Sequence, residues 1–299
     1  MIQQKSNLNL LGGDTQKTPF LDACKNEKIS VDALKFLVEN KSDFNILDKN
    51  RNSPLHFVCK RRNIPTEIIK FLVEIKCNIN LENKYNETPL HCLSNNSSIS
   101  LETIQCFVEL KSNLNVKNKI GQSALYLACH YKNISLEMIK YLVEHKADSN
   151  LLDNQNSSLL HQACVNDRKG VSVELVKFLI ENKANLNSPN KSGSTPLHSA
   201  LSNRKVTIEL VRYLFENKSD LNYLDNDKNS PLHFACNNGS ISVEMLKYLI
   251  KNKSDLNLEN TDAISPLTVA KNNSFLEIEL INLYGNSQSV EQILESFSK

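Results

Sequence analysis

A seven-residue phrase, Ser230-Pro231-Leu232-His233-Phe234-Ala235-Cys236, recurs with variations along the chain. Its copies begin at positions 18, 53, 88, 123, 158, 195, 230 and 265. Neighbouring copies are 35 residues apart, except for one interval of 37 between 158 and 195. A period this short is one supersecondary unit, too small to bury an apolar face alone. Such units stack, and a stack is one body at any length. The period therefore overrides the two-domain expectation that 299 residues would otherwise carry.

The stretch from Asp48 to Leu81 shows what one unit dictates locally. Asp48-Lys49-Asn50-Arg51-Asn52 is a polar turn. Ser53 then supplies an N-cap hydroxyl, and Pro54 stands at the first helical position, where its missing N–H is not needed. Leu55, Val58 and Cys59 give this short helix one apolar face. A second helix is predicted to start near Thr66-Glu67, with an apolar stripe through Ile68, Ile69, Phe71, Leu72 and Val73. Its start recurs as Ser100-Leu101-Glu102, Ser135-Leu136-Glu137, Ser172-Val173-Glu174, Thr207-Ile208-Glu209 and Ser242-Val243-Glu244. Each pairs a capping hydroxyl with a carboxylate in the first turn, where it meets the positive end of the helix dipole.

Helix, turn, helix and extended turn at this period, opened by Thr-Pro-Leu-His, resemble the ankyrin repeat. The closing phrase Leu142-Val143-Glu144-His145-Lys146-Ala147-Asp148-Ser149-Asn150 is similar to the end of that repeat. The resemblance implies an all-α solenoid of helix–turn–helix repeats with projecting β-turn fingers. The expected layout is a partial repeat or cap over 1–17, eight repeats over 18–286 and a capping helix over 287–299. The chain opens on Lys5-Ser6-Asn7-Leu8-Asn9, the closing phrase of an absent repeat, which suggests a cut-down cap or a longer array.

Three departures from the family pattern stand out. The period exceeds the family's by about two residues, and the surplus falls in the loop between the two helices. The Gly that ends the second helix is replaced by Lys41, Lys76, Lys111, Lys146, Lys183, Lys218 and Lys253. The finger Gly persists only as Gly121 and Gly193, with Arg51, Asn86, Asn156, Lys228 and Ala263 elsewhere. A left-handed residue with a side chain costs roughly 1–2 kcal/mol, so these replacements put the finger geometry in question.

Catalytic chemistry finds little purchase. His56, His91, His161, His198 and His233 stand one per repeat and cannot converge on a metal ion. The resemblance implies a structural hydrogen bond for each. Cys24, Cys59, Cys129, Cys164 and Cys236 share one register on packed helices and read as buried thiols. There is no Cys-x-x-Cys pair, phosphate loop or nucleophile elbow. No enzymatic activity and no cofactor are expected. A net charge of +2 gives no bulk argument for nucleic acid or membrane, and no apolar run approaches a membrane span. A monomeric cytoplasmic protein is the expectation.

What remains is surface. By resemblance, recognition falls on the concave face, at the finger tips and first-helix ends. Tyr85 and Ile120 put apolar groups on adjacent fingers, with His130, Tyr131 and Val165 on the helix ends beside them. Lys49, Lys60, Arg61, Arg62, Lys84 and Lys119 make the first half of that face basic. The predicted function is a non-catalytic protein-interaction scaffold taking a protein or acidic peptide there. Two alternatives follow from the resemblance: an adaptor array of a larger channel, kinase or ubiquitin-ligase assembly, and a substrate of Asn hydroxylation at residues such as Asn115 or Asn222.

Overall fold

The computed structural model describes residues 9–10, 18–96, 98–130, 135–165, 173–274, 276–279 and 289–298. The chain divides into two compact units, Met1–Asp153 and Asn154–Lys299. Among the described residues there is no β-strand, only one isolated antiparallel bridge between Lys117 and Ser123. The insertion at 168–170 and the capping residue Ser172 lie outside the described residues.

In the first unit the short helices α1 (Pro19–Lys25), α3 (Pro54–Cys59), α5 (Pro89–Ser94) and α7 (Ala124–His130) form one layer. The second layer is α2 (Val31–Glu39), α4 (Thr66–Glu74), α6 (Leu101–Glu109) and α8 (Leu136–Glu144). Each helix packs on its counterpart in the next repeat. The second unit repeats the scheme with α9 (Leu159–Val165), α11 (Pro196–Ser202), α13 (Pro231–Asn237) and α15 (Pro266–Lys271) in one layer. Beside them stand α10 (Val173–Glu181), α12 (Ile208–Glu216) and α14 (Val243–Lys251). A final helix, α16 (Val290–Ser296), packs on α15, burying Ile293, Leu294 and Phe297. The core of both units is the leucine, isoleucine and cysteine row between the layers, including Leu55, Leu90, Leu125, Leu160, Leu197 and Leu232, each at most 2% exposed.

The caps form largely as the hydroxyls require. Ser30, Ser100, Ser135, Thr207 and Ser242 each accept the backbone N–H three residues on. One start differs: the N-cap of α4 is Pro65, which has no side-chain acceptor, and the Thr66 hydroxyl donates to Glu102 across the repeat boundary at 3.2 Å.

The repeated histidine joins one repeat to the next. His56 Nδ1 accepts the Ser53 backbone N–H at 3.1 Å and lies 2.8 Å from the Ser53 hydroxyl. Its Nε2–H therefore carries the proton and donates to the carbonyl of Glu87 in the following finger at 2.9 Å. His91, His161, His198 and His233 repeat this bond to Gln122, Ser194, Asn229 and Ile264. Where the chain has Tyr126 instead, the phenol reaches the Asp153 carboxylate at 2.9 Å.

The helix ends and the fingers each keep one conformation despite the lost glycines. Lys41, Lys76, Lys111, Lys146, Lys183, Lys218 and Lys253 all adopt left-handed backbone, with φ between 62° and 73°. Arg51, Asn86, Asn156, Lys228 and Ala263 do the same at φ of 56–61°. At Gly193 the requirement is steric as well, because a Cβ there would lie 2.6 Å from the backbone nitrogen of Asn226 in the next finger.

Two stability predictions follow from this packing. Ser42, Ser112, Ser219 and Ser254 each follow a left-handed lysine, are buried, and have no hydrogen-bond partner for their hydroxyls among the described residues. Ala147 and Ala184 fill the same register. A buried hydroxyl without a partner costs about 1 kcal/mol or more, so the fourfold Ser→Ala variant should show a higher urea midpoint than the parent. An unchanged or lower midpoint would show those hydroxyls to be satisfied.

The second concerns acid. Burial holds the imidazole of His56 down at about 4, and those of His91, His198 and His233 below their ordinary value. A depressed histidine is neutral in the fold and takes up a proton on unfolding. Its contribution is therefore complete above pH 6.5 and is lost as pH falls toward the folded value. His56 alone accounts for roughly 3 kcal/mol by pH 4. Urea midpoints measured from pH 7.5 down to pH 4.5 should fall, and fall less steeply in His56→Gln. A flat parental profile would contradict the neutral histidine bridges.

Candidate functional site

Each finger is built from an Asx turn and a left-handed residue. In the second finger Asn83 Oδ1 accepts the N–H groups of Tyr85 and Glu87, at 2.8 and 3.0 Å, while Asn86 takes φ 56°. Asp48, Asn118, Asn190, Asp225 and Asn260 do the same in their own fingers. Successive fingers are then bonded to one another. Lys84 N donates to Asn50 O at 2.8 Å, and Lys119 N to Tyr85 O at 3.0 Å. These bonds fix the spacing at which Lys49, Lys84 and Lys119 project, all exposed.

Tyr85 and Ile120 sit on adjacent fingers of the first unit and are 50% and 58% exposed, so finger-on-finger packing does not consume them. A groove beside Tyr85 is lined by Lys60 and Arg62 from the end of α3, by Glu87 and by Asn95. Its floor includes the buried Cys92. His130 is exposed at the end of α7. Val165, 43% exposed, ends α9 in the second unit. Tyr131 lies outside the described residues.

Arg61 is placed differently from expectation. It is 2% exposed, and its Nη2 donates to the Glu27 carbonyl of the preceding repeat at 2.6 Å. The charge at this helix end is presented instead by Lys60 and by Arg62, which the sequence already placed on the basic face. The signal was there: Asn26, Asn96, Asn203, Asn238 and Asn273 occupy the register of Arg61. The last four of these donate their side-chain amides back to carbonyls of the preceding repeat. A residue type that recurs at one register in this way is doing structural work, so Arg61 was a poor candidate for recognition. Beside it, the backbone N–H groups of Arg62 and Asn63 bond the Glu27 carboxylate and hold it below the usual range.

Asn115 and Asn222 belong to another staple. Each side-chain amide donates to the carbonyl of the next left-handed lysine, Lys146 or Lys253, and each accepts the N–H of an aspartate two residues further on. Asn9 and Asn187 make the same pair of bonds.

Among the described residues no group of three or more His, Cys, Asp or Glu side chains could hold a metal ion. None of the described helices is long and apolar enough to cross a membrane.

Helix hairpins stacked through a buried Thr-Pro-Leu-His bridge, with Asx-turn fingers at right register, define a repeat-built interaction module. The family model for ankyrin repeats (three copies) matches residues 20–101, 96–190 and 168–260, and the chain belongs to the ankyrin repeat family. Its fold is similar to that of 575 solved chains. One is the ankyrin repeat domain of Bcl-3, described as a unique member of the IκB protein family. That match has a TM-score of 0.60 and 22% identity, covering 77% of this chain and 99% of the other. No curated protein sequence gives a significant match. Ankyrin repeats are in general protein–protein interaction modules.

All eight cysteines are free and buried. Burial pushes the thiols of Cys77, Cys92, Cys129, Cys164 and Cys236 up to about 12, and those of Cys24, Cys59 and Cys106 upward as well. A neutral, buried thiol is a poor nucleophile. An aromatic disulfide reagent at pH 8 should therefore label none of them within minutes in the native protein, and all eight in urea. Rapid stoichiometric labelling of the native chain would show that one of them is accessible.

Proposed function

We propose that this chain is a non-catalytic recognition module whose principal contact surface is the groove beside Tyr85 in the first unit, and that its partner is an acidic segment of another protein. One observation carries the reading: a half-exposed tyrosine on a finger shares a groove with Lys60 and Arg62, while Lys84 and Ile120 stand exposed beside it. An exposed aromatic in a concave setting is the usual anchor of an interface. The cations around it outnumber Glu87, so the groove favours negative charge and steers an acidic chain toward the tyrosine.

The fold also supplies rigidity. The finger carrying Tyr85 is bonded to both its neighbours through backbone, so the anchor is held in place before binding and little entropy is lost on contact. The expected contacts Lys49, Lys119 and His130 extend the surface in this proposal, whereas Arg61 supports it from below. A monomeric, cytoplasmic protein remains part of the reading.

The test is capture of partners by the purified chain, compared with Tyr85→Ala/Ile120→Ala and with Lys60→Glu/Lys84→Glu at equal helical content. Both variants should lose the captured partner at least tenfold, and the parental interaction should weaken as salt rises. Equal recovery by parent and variants would move the site elsewhere on the molecule.

A further inference from the structure

The outer helices α10, α12 and α14 are laced together by a repeated cation. Lys177 pairs with Glu209 at 2.9 Å and lies 5.5 Å from the centre of the Tyr213 ring. Arg212 pairs with Glu244 at 3.7 Å and lies 5.1 Å from the centre of the Tyr248 ring. In both cases the carboxylate stands 32 residues after the cation and the tyrosine 36 residues after it. In the first unit this register reads Lys35, Glu67 and Phe71, then Lys70, Glu102 and Cys106, and at the junction of α6 with α8 it reads Gln105, Glu137 and Tyr141. Carboxylate and ring are present, but the cation has become a neutral amide.

The structure has a groove at this place, between α6 and α8, lined by Gln105, Glu137 and Tyr141 with Leu101 and Leu136 as its apolar wall. Glu144 and Lys140 line it too, so its two carboxylates outnumber its one cation. His145 stacks on Tyr141 at 4.0 Å between ring centres and donates from Nδ1 to the Tyr141 carbonyl at 2.8 Å; it lies outside the groove lining and steadies the ring. Glu137 is exposed.

We propose that this groove is a binding site for a lysine or arginine side chain of a partner protein, which takes the place that Lys177 and Arg212 occupy at the later junctions. The ammonium or guanidinium group would lie over the Tyr141 ring and pair with Glu137, with its methylene stem along Leu101 and Leu136. The argument is one of chemical complementarity, because the same molecule shows twice which group this combination of carboxylate and aromatic ring selects. A cation over an aromatic ring and beside a carboxylate gains from both. This surface is formed by the second helices and is independent of the groove beside Tyr85.

The probe is N-acetyl-arginine methylamide, with the lysine analogue and the neutral citrulline analogue as further arms. It is titrated into the full chain carrying ring-labelled tyrosine and followed by NMR. The arginine or lysine probe should shift the Tyr141 signal saturably, with a millimolar Kd, and the citrulline probe should not. Glu137→Gln should weaken binding about tenfold. Gln105→Lys restores the internal cation and should abolish binding while leaving the fold, read by circular dichroism, intact. Equal shifts from the citrulline probe, or undiminished binding in Gln105→Lys, would overturn the proposal, and neither result depends on the outcome at Tyr85.

Discussion

The stacking of five of the repeats on their successors depends on one kind of hydrogen-bonded bridge. A serine or threonine starts a helix, and the histidine three residues later folds back onto it. The far nitrogen of the same ring then binds a carbonyl in the next finger. One side chain thus caps its own helix and ties it to the following repeat. Because the imidazole is buried, its bonds are formed away from competing water, and leaving either nitrogen unmatched would be costly. Each repeat is therefore positioned by its neighbour, as expected where stability is a sum of units and interfaces.

The same mutual dependence accounts for the left-handed lysines. In isolation a lysine at φ near 65° is disfavoured by about 1 kcal/mol or more. Here the conformation is imposed from both sides. Lys146 N donates to Val143 O at the end of its own helix, and Lys146 O accepts the amide of Asn115 from the repeat before. A cation at a helix C-terminus returns part of the cost. Glycine would relieve the strain but would also enlarge the freedom of the unfolded chain, so the two choices lie closer than the backbone penalty alone suggests. Gly193 marks the boundary of that tolerance, since the neighbouring backbone leaves no room for a Cβ.

Most of the fold was legible in the sequence, because its signals are local and repeated. The proline-initiated helices, the hydroxyl caps and the buried cysteine register each rest on a few adjacent residues, and the period multiplied them. What escaped was the part that depends on contact between repeats. The uniform finger conformation could not be read from Arg51 or Ala263, whose propensities point away from it. The turning-in of Arg61 depends on the carbonyl of Glu27, 34 residues earlier. Pro65 as the cap of α4 was hidden by the attractive Thr66 beside it. Of the candidate site, Tyr85 and Ile120 are exposed on adjacent fingers, whereas Arg61, read as part of the basic face, turns inward and leaves Lys60 and Arg62 to present the charge.

Departures from the repeat are informative in proportion to how strictly the repeat is otherwise kept. Tyr126 in place of histidine is compensated within the fold, because its phenol finds Asp153. Arg61 in place of asparagine is compensated too, by the Glu27 carbonyl. Gln105 is a different kind of departure. It removes a charge whose two partners remain, and the side chains around it close no gap. Tyr85, likewise, stands where most other fingers carry polar residues (Asn50, Gln155, Ser192, Asp227 and Asp262), and it stays half exposed. Substitutions that the fold absorbs concern stability. Those that leave an aromatic or a carboxylate facing outward, with its complement missing, are the ones that the fold alone does not account for.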